Sequence, residues 1–267
     1  MQVISSKDNE IVKSIKKLRD KKYRDISNEF VIEGIKIIKE AIQEGAKIKK
    51  IVICEECAQD GMLDQKFLYE ISKYDFICVT KKIFDSITNV MNPQGILAVI
   101  EKNNEESNIN YKEDLVVVLD GIQDPGNLGT ILRTIDSANI SQLIVSKETA
   151  DCYNPKVVRS TMGAIFRVNV ITSDNIVNTV KNLKKHGYEI CATALREDSE
   201  SIYNVEYKKK VIIIGNEANG VSQELIDLAD KKLIIPMLGK TESLNASVAA
   251  SIIIYEYIRQ KLNGDIN

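Results

Sequence analysis

Six short apolar runs between residues 115 and 237 constrain the fold of this 267-residue chain more than any other feature. They read LVVVLDG, QLIVS, FRVNVIT, YEICATAL, KVIIIGN and KLIIPM. Strands that are covered on both faces carry such near-continuous apolar sequences. Segments with helical periodicity separate most of the runs, and parallel strands need long crossover connections of this kind. The second half of the chain therefore predicts an open, mostly parallel sheet with interleaved helices.

The first hundred residues also alternate between predicted strands and helices, which indicates a smaller α/β unit. Residues 103–113, NNEESNINYKE, are polar and lack an apolar period, as is typical of a linker. We therefore predict a first domain over residues 1–102, a linker over 103–113 and a larger domain over 114–267.

The charge balance places limits on the partners. The chain carries 36 basic and 38 acidic residues, so its net charge is only −2, and binding to a nucleic acid would need a local basic patch. No apolar run approaches the roughly 20 residues that span a bilayer, and the N-terminus lacks the pattern of a secretory signal. We expect a cytoplasmic protein that does not contact a membrane.

One basic patch is present near the N-terminus. Residues 8–22, DNEIVKSIKKLRDKK, place apolar side chains on one helical face and leave the other face rich in lysine and arginine. Two interpretations stay open: a solvated helix face, or an edge that faces RNA. The candidate RNA contacts are Lys13, Lys16, Lys17 and Arg24, with Arg159 on a later helix.

The scarcity of histidine and the scatter of cysteine exclude several reaction classes. His186 is the only histidine, and it precedes a glycine in a predicted helix C-cap, which favours a surface role. Five cysteines are dispersed, and the Cys54–Cys57 pair lacks the second pair that a zinc site needs. We predict no metal site, and a Ser-His-Asp or Cys-His mechanism would depend on His186 alone.

Polar residues gather after three of the apolar strands. The first stretch is LDGIQDPGNLGTILRT, in which Asn127 opens a helix that carries Arg133. The second is VIIIGNEANGVSQEL, in which Gly215 and Gly220 bracket Glu217. Ligands in open α/β sheets bind beyond the carboxyl ends of the strands, so these stretches are candidate sites. Taken alone, Asn127 is more typical of a helix cap and Arg133 of a surface charge, whereas Glu217 in its glycine-bracketed bend is more than a turn requires.

The third stretch, IPMLGKTESLNASVAAS, runs from a strand end through Gly239 into the long C-terminal helix. Ser243 or Asn245 is positioned to cap that helix by accepting from its free N–H groups. Neither a GxGxxG fingerprint nor a GxxxxGK[ST] loop occurs in the chain, which argues against the usual dinucleotide and P-loop nucleotide sites.

Together the three stretches resemble the SpoU/TrmH-type family of RNA 2′-O-ribose methyltransferases, in the SPOUT superfamily. They occur in the family's order, and the resemblance covers residues 114–262. The first hundred residues resemble the family's frequent L30e-like substrate-binding module through SSKDNEIVKSIKKL, RDISNEFVIEG and GILAVI. The resemblance implies a parallel-sheet domain with a deep trefoil knot, a homodimer and S-adenosylmethionine as cofactor.

The resemblance also implies roles for individual residues. The small residues of the C-terminal helix, Ala246, Ala249 and Ala250, would form a dimer surface. Arg133 would contact the target phosphate or ribose and favour the alkoxide, because a guanidinium stays protonated and is a poor base. The expected catalytic set is Asn127, Arg133, Glu217, Ser243 and Asn245. The expected cofactor contacts are Thr193, Ala194, Leu195, Gly215, Gly220, Ile235, Met237 and Leu244.

The resulting hypothesis is 2′-O-methylation of RNA, with ribosomal RNA favoured over transfer RNA. Two alternatives stay open: a transfer-RNA 2′-O-methyltransferase, and a protein that binds structured RNA without modifying it. A different nucleotide-binding α/β enzyme is disfavoured by the missing glycine fingerprint and P-loop.

Overall fold

The computed structural model describes residues 3–59, 63–102 and 108–266. Contacts divide the chain into two compact units, Met1–Glu105 with Tyr153–Phe166, and Glu106–Cys152 with Arg167–Asn267. Part of the predicted linker, residues 103–107, lies outside the described residues.

The first unit contains a five-stranded mixed sheet in the order β1-β4-β3-β5-β2. Strand β3 runs parallel to β4, while β5 runs antiparallel to both β2 and β3. The strands are β1 Val3–Ile4, β2 Glu29–Glu33, β3 Ile48–Cys54, β4 Phe76–Val79 and β5 Ile96–Glu101. The helices are α1 Glu10–Lys17, α2 Lys21–Ser27, α3 Ile35–Gln43, α4 Glu55–Gln59, α5 Gln65–Ile71, α6 Lys81–Ile87 and α8 Pro155–Thr161, with a 3-10 turn at Ala164–Phe166.

Residues 153–166 pack with the first unit, although the sequence prediction kept them in the second domain. The Tyr153 ring lies 4.7 Å from the Phe30 ring, and buried Val158 joins the apolar core around β2 and β3. Helix α8 stops at Thr161, because Met162 and Gly163 both adopt positive φ angles. The apolar side chains of residues 153–166 thus complete the core of the N-terminal unit.

The second unit contains a seven-stranded, fully parallel sheet in the order β10-β12-β9-β11-β6-β7-β8. This confirms the predicted α/β class and its parallel sheet; the short strand β10 is an addition to the six predicted runs. The strands are β6 Leu115–Asp120, β7 Gln142–Ser146, β8 Asn169–Ser173, β9 Glu189–Thr193, β10 Glu200–Ser201, β11 Lys210–Gly215 and β12 Lys231–Ile234. The helices are α7 Pro125–Ser137, α9 Ile176–Lys185, α10 Gln223–Leu228 and α11 Ala246–Asn263, with a 3-10 turn at Ile202–Asn204.

The central strands bear out the pattern that predicted them. Every residue of Leu115–Leu119 in β6 and of Val211–Gly215 in β11 is buried. Strand β11 pairs with β6 on one side and β9 on the other, so their carboxyl ends lie side by side. The described residues include no helix long and apolar enough to cross a membrane. The trefoil knot stays a prediction.

Candidate functional site

The carboxylate of Glu217 joins two of the polar strand ends. It follows β11, and its oxygens accept hydrogen bonds from the backbone N–H groups of Gln123 at 3.1 Å and Asp124 at 3.2 Å, both of which follow β6. It also accepts from the Asn127 side chain at 2.8 Å. Desolvation alone would raise the pKa of Glu217, but these hydrogen bonds outweigh it and lower the pKa below its ordinary value. The group is therefore a stable carboxylate at neutral pH.

Asn127 links Glu217 to the third strand end. Its side chain is 8% exposed, and its Oδ1 accepts a 3.0 Å hydrogen bond from the Asn245 carboxamide. Asn245 Oδ1 in turn accepts from the backbone N–H groups of Ser247 and Val248, at 2.9 and 3.3 Å. Asn245, and not Ser243, is therefore the cap of α11. Glu217, Asn127 and Asn245, from separate parts of the chain, therefore form one hydrogen-bonded row, which we call the polar row.

The turn after β11 requires glycine. A Cβ atom on Gly215 would lie 2.0 Å from the Gly220 carbonyl carbon and 2.1 Å from the Val221 nitrogen, too close for any side chain. Asn216 closes the turn through backbone hydrogen bonds with Gly220 in both directions. The Asn216 side chain donates to the Gly121 carbonyl at 2.7 Å, which ties this turn to the end of β6.

A cavity of about 650 Å³ lies beyond the ends of β9, β11 and β12. Its wall includes all eight predicted cofactor contacts: Thr193, Ala194, Leu195, Gly215, Gly220, Ile235, Met237 and Leu244. Glu217, Ser243 and Asn245 line it as well, and Asn127 reaches it through its hydrogen bonds to two of them. The structure thus brings four of the five predicted catalytic residues together at one cavity.

Two small residues of α11 form part of the wall of this cavity. Ala246 and Ala249 line it, together with Ile253, whereas Ala250 is fully buried. The expectation that Ala246, Ala249 and Ala250 form a dimer surface stays a prediction. Spacings of three and four residues align Ala246, Ala249 and Ile253 on one helical face, and the two alanines leave that part of the cavity open.

Two charged residues of the cavity wall were missed by the sequence prediction. Arg196 and Glu242 both line the cavity. Each follows a predicted contact residue within a few positions, but neither lies in a glycine-bracketed turn or cap. The Arg196 guanidinium donates to Gln223 Oε1 at 2.7 Å.

Arg133 does not line the cavity. It is exposed on α7, six residues after Asn127. Helix α7 packs against α11, where Thr134 and Ser251 share a 3.0 Å hydrogen bond between hydroxyls. Arg133 is therefore on the face of α7 that does not contact this chain's own cavity.

The predicted RNA contacts differ in exposure. Lys13, Lys16 and Lys17 are exposed on α1. Arg159 is exposed, and its guanidinium donates to the Asn89 carbonyl at 2.8 Å. Arg24 corrects the prediction: it is 2% exposed and donates to the carbonyls of Leu18 and Arg19. Those carbonyls follow α1, where a cation is favoured by the unsatisfied C=O groups and the helix dipole.

His186 lies outside the cavity wall. Its ring stacks on Tyr111 at 3.8 Å between centroids, and its Nδ1 is 2.8 Å from the Asn182 carbonyl. The five cysteines are free thiols. Within residues 3–59, 63–102 and 108–266, no group of three or more His, Cys, Asp or Glu side chains is arranged to hold a metal ion.

The cavity suits S-adenosylmethionine in size and chemistry. Cofactor and ligand sites commonly measure about 300–1,000 Å³ and combine apolar walls with a few polar groups. Here Ile214, Val221, Leu233 and Ile253 supply apolar surface, and the glycine turn brings main-chain atoms to the cavity without intervening side chains. Residues at the ends of β9, β11 and β12 would hold the cofactor.

The chain matches two family models. The SpoU rRNA Methylase family matches residues 114–255, and the MRM3-like substrate binding domain matches residues 9–98. A curated protein of Bacillus subtilis (strain 168), the 23S rRNA (guanosine(2553)-2′-O)-methyltransferase RlmP, is 33% identical over 255 residues, which are 96% of this chain and 98% of that protein.

Solved structures agree over the same length. The AdoMet-bound rRNA methyltransferase from Sinorhizobium meliloti is 32% identical and superposes with a TM-score of 0.85 over 97% of this chain and 98% of that one. The SpoU methyltransferase AviRb from Streptomyces viridochromogenes, in complex with AdoMet, is 25% identical with a TM-score of 0.83 over 95% and 98%.

The fold, the cavity and these similarities define an S-adenosylmethionine-dependent RNA 2′-O-ribose methyltransferase. The chain belongs to the SpoU rRNA methylase family.

Proposed function

We propose that this chain transfers a methyl group from S-adenosylmethionine to a ribose 2′-hydroxyl of ribosomal RNA. One observation carries the proposal: the Glu217–Asn127–Asn245 row borders a cavity of cofactor size at the ends of parallel strands. The choice of ribosomal RNA is supported by the B. subtilis relative, which is named for a 23S rRNA guanosine and matches nearly the full length of this chain.

The ribose 2′-hydroxyl is a poor nucleophile, so the enzyme must position it and help to remove its proton. When bound, S-adenosylmethionine supplies a methyl group made electrophilic by its sulfonium. Glu217 is a weak base, because its pKa is lowered and its oxygens are engaged by three donors. Its role is to fix Asn127, which orients the nucleotide or the catalytic arginine.

Arg133 supplies the positive charge in this scheme. The guanidinium contacts the target phosphate or ribose and stabilises the developing alkoxide. A phosphate oxygen takes the hydroxyl proton, since arginine remains protonated. Ser243 and Asn245 complete the polar side of the cavity.

We propose that the enzyme is a homodimer in which Arg133 of each subunit serves the cavity of the other. Arg133 is exposed and does not line its own cavity. The neighbouring helix α11 carries an exposed apolar row, with Val248 at 46% and Tyr255 at 52% exposure. Tyr255 also meets Ser137 of α7 at 3.2 Å, so both helices contribute to this face.

The N-terminal unit is proposed to bind the RNA substrate through the exposed lysines Lys13, Lys16 and Lys17, with Arg159. The match of residues 9–98 to a substrate-binding domain supports this assignment. The proposed compartment is the cytoplasm, and no metal takes part in the proposed reaction.

The test is methyl transfer from labelled S-adenosylmethionine to separated 23S rRNA, 16S rRNA and tRNA, all without prior methylation. Digestion to nucleosides should place the label on the ribose of 23S or 16S rRNA. Label on a base would overturn 2′-O-methylation, and label on tRNA alone would favour the transfer-RNA alternative. Cofactor-independent RNA binding with no transfer to any of the three would favour a non-catalytic RNA-binding protein.

A further inference from the structure

One charged side chain of the cavity wall has no partner within the part of the chain that the structure describes. Three charged side chains line the cavity: Arg196, Glu217 and Glu242. Arg196 donates to Gln223, and Glu217 accepts from Asn127 and two backbone N–H groups. Glu242 has no hydrogen-bond or ion-pair partner among the described residues, so its carboxylate is available to a ligand in the cavity.

Glu242 is an exposed residue of the segment that leads into α11. It precedes Ser243 directly and stands three residues before Asn245, which caps α11 and donates to Asn127. Arg196, in contrast, follows β9 and is held against α10 through Gln223. The unpartnered carboxylate is therefore on the segment that carries the polar row, while the satisfied cation is on another strand end.

We propose that Glu242 is a specificity-determining residue that attracts the positive sulfonium of S-adenosylmethionine and thereby favours the methyl donor over its demethylated product. This inference rests on the proposed function. The donor and the product differ by one methyl group and one positive charge at sulfur, whereas their ammonium, carboxylate and adenosine parts are the same. A carboxylate near the sulfur is the simplest device that distinguishes them.

The reaction itself removes that attraction. The carbon–sulfur bond breaks as the bond from the methyl carbon to the ribose oxygen forms. The electron pair of that bond stays on sulfur to give a neutral thioether, and the hydroxyl proton passes to the phosphate oxygen of the proposed mechanism. A carboxylate that attracts the sulfonium therefore binds the reactants more tightly than the products. An interaction that weakens along the reaction raises cofactor affinity and does not raise kcat.

Calorimetry on Glu242→Gln tests the inference with three ligands. They are S-adenosylmethionine, S-adenosylhomocysteine, and an analogue with a protonated amine in place of the sulfonium. We expect the Kd of both cationic ligands to rise roughly fivefold to tenfold, as for one ion pair in a partly solvated site. The Kd of S-adenosylhomocysteine should change less than about twofold.

The matched control is Glu224→Gln. Glu224 is exposed in the first turn of α10 and does not line the cavity. Its replacement by glutamine changes the net charge by the same amount as Glu242→Gln does. This variant should bind all three ligands as the wild type does. Equal weakening of donor and product by Glu242→Gln would indicate contact with the shared ammonium group, and unchanged affinity for all three would indicate no contact. Either result overturns the inference.

Failure of the inference is distinguishable from failure of the proposed function. If the wild type binds no S-adenosylmethionine and methylates no RNA, the proposed function is wrong. If the wild type does both and Glu242→Gln keeps the wild-type ratio of donor to product affinity, only the role of Glu242 is wrong. In steady-state assays, Glu242→Gln should raise the KM for the donor and leave kcat within about twofold.

Discussion

The carboxamide of Asn245 donates a 3.0 Å hydrogen bond to Asn127 across 118 positions of the chain. Both residues sit at helix N-termini: Asn245 caps α11, and Asn127 lies in the first turn of α7. The same Asn127 side chain donates to Glu217, so three strand ends depend on one buried asparagine. A substitution at Glu217, Asn127 or Asn245 should therefore disturb the hydrogen bonds of the other two residues.

Substitution of Glu217 by glutamine should lower stability in a pH-dependent way. The pKa of Glu217 in the folded state is lowered below its ordinary value of about 4.5, so the carboxylate contributes stability that is present above about pH 4.5 and is lost as pH falls through the folded-state pKa. Urea unfolding at pH 7 should show Glu217→Gln to be less stable than the wild type, and the difference should shrink below pH 4. A difference that stays constant with pH would rule out the carboxylate as its source.

Substitution of Gly215 by alanine should disrupt the turn after β11. The added Cβ would lie within 2.4 Å of backbone atoms of Gly220 and Val221, and backbone yields less than a flexible side chain. We expect a loss of about 2–3 kcal/mol in the free energy of unfolding, as for overpacked sites, together with loss of S-adenosylmethionine binding. Gly239→Ala is the control, because a Cβ there meets nothing within 4 Å. Equal stability of the two variants would contradict the assigned crowding.

Substitution of Ala249 by leucine should fill the cavity and leave the fold intact. Ala249 lines the cavity from α11, and its larger replacement would occupy space assigned to the cofactor. Calorimetry should show no S-adenosylmethionine binding, while circular dichroism and the unfolding midpoint stay near those of the wild type. Leu262→Met, at an 82% exposed position near the end of the same helix, should bind normally. Normal binding by Ala249→Leu would place the cofactor elsewhere.

The sequence predicted the catalytic unit better than the details of its surface. Continuous apolar runs such as Leu115–Leu119 report burial on both faces, which is a local property of the sequence. The glycine at position 215 likewise reflects a local steric demand. The place of Ala249 in the cavity wall was not predicted, because small residues suit both a helix interface and an open cavity, and tertiary packing is needed to show the cavity.

The burial of Arg24 and the packing of residues 153–166 with the N-terminal unit could not be predicted from the sequence pattern, for a similar reason. The periodicity of residues 8–22 continues smoothly, but α1 ends at Lys17 and α2 turns Arg24 inward to bind carbonyls after α1. No feature of the neighbouring sequence indicates that the Arg24 guanidinium is buried. Likewise, α8 has an apolar face, but its partner strands β2 and β3 lie more than a hundred residues earlier in the chain.

Substitution of Tyr153 by alanine should destabilise the N-terminal unit selectively. Its ring lies 4.7 Å from Phe30, and the Lys102 ammonium lies 5.0 Å from its centroid. Loss of a partly buried aromatic side chain with these contacts should cost about 1–3 kcal/mol. Hydrogen exchange should show faster exchange of β2 amides and unchanged exchange in β6 and β11. Tyr69→Ala, at a 68% exposed position in the same unit, is the control and should leave β2 protection unchanged. Unaltered β2 protection in Tyr153→Ala would contradict the packing role.

Mixed dimers should reveal whether Arg133 acts across subunits. Arg133→Ala should abolish methyl transfer and leave the Kd for S-adenosylmethionine within about twofold, since Arg133 does not line its own cavity. Ala249→Leu should also be inactive, because its cavity is filled. In a heterodimer of the two variants, the open cavity of one subunit meets the intact Arg133 of the other.

We therefore expect co-expressed and purified heterodimers to recover up to half of the wild-type activity per dimer. A double variant carrying both changes in one chain, paired with itself, should stay inactive. Heterodimers that remain inactive would place Arg133 in the service of its own subunit, and a monomeric mass by light scattering at micromolar concentration would refute the dimer itself.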